Sequence, residues 1–71
     1  MSRALDAQMI AAHEVDDKLA LIRLYSQAAD EANDIDACCF YLTHAYIFAL
    51  DSGSPHADAL YAKLVAHGRE R

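Results

Sequence analysis

No glycine or proline occurs before Gly53, and the single proline, Pro55, follows it almost at once. Those are the two residues that most often interrupt a helix, one by excess backbone freedom and the other by a fixed φ and a missing N–H. A chain without them over so long a run is free to stay helical. Alanine is its commonest residue and helix formers dominate. No period-two alternation of apolar and polar residues competes. The fold class that follows is all-α, a small bundle of three to four antiparallel helices in a single domain, residues 1–71.

Four helical segments can be placed. The first spans about residues 3–13, with Ser2 as a cap and Leu5, Met9 and Ala12 as its apolar stripe. "HEVDDKL" reads as a turn in which Asp16 caps and Asp17 favours the next helix start. The series Leu5, Met9, Ala12, Val15, Leu19, Ile22 nevertheless keeps a nearly helical phase, so a single long helix is the alternative. A second helix, about 17–32, gathers Leu21, Ile22, Leu24, Tyr25, Ala28, Ala29 and Ala32 on one broad face. "AND" closes it, Asn33 taking the left-handed position and Asp34 capping the third helix, about 35–51. "DSGSP" then supplies a permissive glycine, a capping serine and a first-turn proline. The fourth helix, about 55–67, carries Ala57, Leu60, Tyr61, Leu64 and Val65 on its apolar face, Gly68 closes it, and the "RER" end frays.

At 71 residues the chain sits near the lower size limit for unaided folding. Domains of this size rarely gain more than roughly 3–5 kcal/mol from one core and usually add a staple. A disulfide framework is not available, because the two cysteines, Cys38 and Cys39, are adjacent. Read as small buried hydrophobes, they fit a reducing compartment, and the expected location is cytoplasmic. No apolar run reaches membrane-spanning length, and the N-terminal stretch lacks the apolar region of a secretory signal. A net charge of −5 with scattered lysines and arginines argues against a nucleic-acid partner.

The third segment, "IDACCFYLTHAYIFAL", is more apolar than one small bundle needs. A helical wheel places Cys38, Ala45 and Ala49 on a seam of small side chains flanked by Leu42. Ile35, Cys39, Tyr46 and Leu50 form one bulky flank, with Tyr41 and Phe48 on the other; neighbouring helices can fill both. The remaining arc holds Asp36, Thr43, His44 and Asp51, with Phe40 and Ile47 in its middle, two turns apart. Burying each of those two is worth roughly 1.5–3 kcal/mol. Either the first helix folds across this arc or another protein chain covers it. The latter makes Phe40, Thr43, His44 and Ile47 an interface, with a homodimer or another protein as partner.

Leu24 and Tyr25 in one helix, followed by Ala37, Tyr41 and Ala45 in the next and a proline after "LDSGS", resemble tetratricopeptide-repeat proteins. The chain is also similar to small bacterial proteins of unassigned function with such a core and an "SGSP" hairpin. The resemblance covers Leu21 to Pro55 and implies a helical-hairpin scaffold for protein–protein contact. It departs from that pattern in a longer second helix, in lacking the small residue after the leucine, and in showing no repetition at roughly 34 residues.

Chemistry finds little to build on. His13, His44, His56 and His67 form no His-x3-His pair, and the cysteines lack Cys-x2-Cys spacing, so no metal is expected. Asp16–Asp17, Asp30–Glu31 and Asp34–Asp36 fall at helix ends or polar faces. Two glycines provide no phosphate loop or dinucleotide fingerprint, and neither cofactor nor catalytic residue is expected. The reading is a non-enzymatic interaction module. Its alternatives are a ligand- or metal-binding bundle using Tyr41, Tyr46, His44 and Cys38 or Cys39, and an accessory subunit of a larger enzyme.

Overall fold

The computed structural model describes residues 3–68; the expected Ser2 cap and the "RER" end lie outside them. Four helices follow in order: α1 (Arg3–Glu14), α2 (Lys18–Glu31), α3 (Ile35–Ser52) and α4 (His56–Ala66). Each lies within one residue of its sequence-based bounds, and no strand occurs among the described residues. The all-α bundle is the observed fold.

The break between α1 and α2 has a definite cause. Asp16 takes a left-handed conformation, φ 54°. Its N–H donates to the His13 carbonyl at 3.2 Å, and that of Asp17 donates to Ala12 at 2.9 Å. This pair of bonds is a Schellman closure, which satisfies the last carbonyls of α1. The capping residue of α2 is then Asp17, whose carboxylate accepts from the Ala20 N–H at 3.2 Å, and not Asp16 as expected. Asp16 is needed for the turn itself. An L-residue in that conformation costs roughly 1–2 kcal/mol, less for aspartate, whereas glycine bears no such cost. Asp16→Gly should therefore raise stability by about 0.5–1 kcal/mol after allowing for the freer unfolded chain, read as a Tm gain of a few degrees.

The other turns repeat this logic. Asp34 accepts the Ala37 N–H at 2.8 Å and caps α3, as expected. Asn33 does not take the left-handed position; the chain leaves α2 through Ala32 in extended backbone. Gly53, at φ 68°, closes α3 by a second Schellman pair, with the Ser54 N–H on the Ala49 carbonyl at 2.8 Å. Ser54 Oγ accepts the His56 N–H at 3.1 Å, and Pro55 precedes α4 without needing a donor.

Three-residue connections force each helix to turn back along its predecessor, and the backbones that run side by side are those of sequence neighbours: α1 with α2, α2 with α3, α3 with α4. The Cα envelope is 32 × 29 × 12 Å. Two full helix layers, with axes about 8–10 Å apart, would be thicker. The molecule is a staggered row of helices.

The broad apolar face of α2 is two stripes serving two neighbours. Leu21, Leu24 and Ala28 close a core with Leu5, Met9 and Ala12 of α1. Ile22 and Ala29 join a second core with Cys39, Leu42, Ala45 and Ala49 of α3 and Leu60 and Leu64 of α4. Ala45 and Ala49 are wholly buried, and their small side chains let α2 and α4 come close to α3. Cys39, expected on a flank, lies in the buried seam, and Cys38, expected in the seam, is half-buried at its edge. Ile35 and Leu50, assigned to a covered flank, are exposed, because a row offers α3 only two neighbours.

Candidate interaction surface

The position of α1 decides what happens to the outer arc of α3. Its stripe Leu5, Met9, Ala12 is consumed by α2, so the helix lies beside α2 and does not cross α3. Phe40 and Ile47 are left 56% and 53% exposed. A cover from within the chain, one of the two expected from sequence, is absent among the described residues.

The residues between them matter as much. Thr43 Oγ1 donates to the Cys39 carbonyl at 2.8 Å. His44 Nδ1 lies 2.9 Å from the Phe40 carbonyl, and since a carbonyl only accepts, Nδ1 carries a proton. Both side chains bond back onto their own helix. The Thr43 hydroxyl proton and the Nδ1 proton of His44 are thereby satisfied within α3, so the stripe is less polar than its letters indicate, with His44 Nε2 as its remaining acceptor. Covering the stripe therefore removes water from one acceptor, His44 Nε2, and that nitrogen needs a donor in any chain that packs over it. A shallow hollow of about 350 Å³ lies between Asp36, Cys39, Phe40, Thr43 and His44. Three of the four sequence-predicted residues thus line one depression, and Ile47 stands two turns along the same face from Phe40.

One edge of this surface is held by a ring cluster. His44 stacks on Tyr25 at 5.4 Å between centroids and packs against Phe40 at 4.4 Å. Tyr25 also meets Tyr41 and Phe48, and its hydroxyl hydrogen-bonds with His13 Nε2 at 3.0 Å. Burial, with Tyr41 alongside, raises the Tyr25 phenol above its ordinary pKa, so it stays a neutral hydroxyl. The cluster fixes His44 and with it the ring of Phe40. No feature of the sequence alone joins His13 to this group; it arrives because α1 ends beside Phe48.

At the far end of the arc Lys18, from the start of α2, forms an ion pair with Asp51 and approaches Asp16. The hydrogen bond to Asp51, followed by the charge of Asp16, raises the Lys18 pKa and keeps it cationic.

The residues of the alternative ligand site do not converge. Tyr41 and His44 gather about Tyr25, whereas Tyr46 faces the other way onto Tyr61 of α4. Burial, with Cys39 and Asp30 adding to it and Lys63 partly offsetting them, raises the Cys38 thiol pKa, which disfavours the reactive thiolate. Among the described residues no three histidine, cysteine or acidic side chains are grouped to hold a metal ion. An open groove of about 890 Å³ runs between α2 and α4, with Ile22 and Leu60 in its floor and Arg23, Asp30 and Lys63 on its walls. Among the described residues no helix is long and apolar enough to cross a membrane. Comparison of the chain with protein-family models, with curated proteins and with solved structures finds no match.

Proposed function

We propose that this chain is a non-enzymatic helical interaction module that self-associates through the outer stripe of α3. The observation that carries the reading is the exposure of Phe40 and Ile47 on an arc where the Thr43 hydroxyl and His44 Nδ1 bond to the helix itself. A domain this small gains roughly 3–5 kcal/mol from its core, and covering the exposed half of each side chain is worth roughly 1–1.5 kcal/mol, so the incentive to pair is a sizeable fraction of the protomer's stability. The hairpin α2–α3, the part that resembles a tetratricopeptide repeat, acts as the scaffold that holds this face outward. Two hairpins are fewer than the three or more repeats that a solenoid of this kind normally stacks, which favours pairing over wrapping a peptide.

Sedimentation velocity over a rising concentration series tests this. The expected result is a species of twice the chain mass that grows with concentration. A single monomer at tens of micromolar removes self-association.

A further inference from the structure

Six residues of the outer arc are arranged symmetrically about one point of α3. Phe40 stands as far before the midpoint between Thr43 and His44 as Ile47 stands after it, and the same is true of Asp36 and Asp51. Resting on the self-association reading above, we propose that two copies pair α3 against α3 in antiparallel register, about a two-fold axis passing between Thr43 and His44. The rotation lays each Phe40 against Ile47 of the second copy. It sets Thr43 beside the second copy's His44.

Shape supports this register. The depression beside Phe40, bounded by Thr43 and His44, lies where the second copy's Ile47 arrives. A large aromatic side chain then meets a smaller branched one at both ends, the alternation that lets facing layers interdigitate. A parallel pairing would instead set Phe40 on Phe40 and leave Ile47 to meet only its like.

Charge supports the same choice. Asp36 lies in the first turn of α3, and Lys18 is anchored by Asp51 at its last turn. Antiparallel helices set Asp36 of one copy opposite Asp51 of the other at both ends of the seam, where the Lys18 ammonium held by Asp51 is shared between the two carboxylates and offsets part of their repulsion. Parallel helices bring Asp36 toward Asp36 and align the two helix dipoles, both of which are repulsive. The pairing is isologous and closes at two copies, so it leads to a dimer and no filament.

Single cysteines placed in a Cys38→Ala, Cys39→Ala background read the register directly, with helicity checked by circular dichroism and mass by sedimentation. In this arrangement residue 43 of the two copies is offset by about 1.5 Å along the seam, while residue 36 of the two copies is offset by about 22 Å. Mild oxidation should therefore convert Thr43→Cys chains to a covalent dimer and leave Asp36→Cys chains uncrosslinked. A mixture of Asp36→Cys and Asp51→Cys chains should cross-link as the mixed pair. A dimer in which Asp36→Cys links to itself overturns the antiparallel register while leaving self-association intact. A dimer in which none of these cysteines links places the contact on another face and overturns the register. A monomeric background chain overturns both.

Discussion

Phe40→Asp is expected to yield a folded monomer. In the pair, two Phe40 side chains lose cover and two carboxylates are forced into an apolar seam. Since each ring is already about half covered in the protomer, the lost burial alone is about 1.5–3 kcal/mol over both copies, which weakens the dissociation constant on the order of 10- to 100-fold. The protomer should tolerate the change because the ring is more than half exposed and its loss opens no cavity in either core. Sedimentation should show the single chain mass, and circular dichroism should show unchanged helicity. If helicity collapses instead, Phe40 belongs to the protomer's own core, and the assignment of the outer stripe fails. Heating adds a second readout: the parent's Tm should climb with concentration and that of Phe40→Asp should not, since only the former is linked to assembly.

Leu64→Ala should act on the fold itself. Leu64 is fully buried, 0% exposed, in the core that α4 shares with Leu42, Ala45 and Ala49 of α3. Removing a buried leucine costs roughly 2–5 kcal/mol, as much as a domain this small has to lose. Urea titration should show most of the chain unfolded without denaturant, or a midpoint close to zero. The neighbouring Val65→Ala, on the exposed side of the same helix, should change the unfolding free energy by about 0.5 kcal/mol or less. Equal effects at the two positions would show that α4 is not docked through Leu60 and Leu64. The pair of experiments also separates the two contributions to stability, since Leu64→Ala disturbs the protomer and Phe40→Asp the contact between copies.

Much of this was legible in the letters because local chemistry and tertiary packing agree. Gly53, Ser54 and Pro55 form an unambiguous stop and start, and Leu5, Met9 and Ala12 leave no doubt about the inward face of α1. The α1–α2 turn was harder, since apolar periodicity runs through Val15 and Leu19, both exposed. The residue that breaks the helix is an aspartate in a conformation usually reserved for glycine, and composition gives no warning of that. A helical wheel also cannot say how many neighbours a helix has. It treated the flanks of α3 as places to be filled, and the staggered row left Ile35 and Leu50 in solvent. The outer stripe itself was visible as a spacing of seven. Its reduced polarity was not, because that depends on the Thr43 hydroxyl and His44 Nδ1 being directed to backbone carbonyls, a choice of rotamer.

The side-by-side order of helices adjacent in the chain also bears on how quickly the structure assembles. Each pair of neighbouring backbones is a single hairpin, and the longer contacts, His13 with Phe48 and Ile22 with Leu60 and Leu64, can follow once the hairpins stand. Topologies of that low contact order reach the native state in microseconds to milliseconds. Each newly made chain therefore exposes its oily third segment only briefly before the protomer forms.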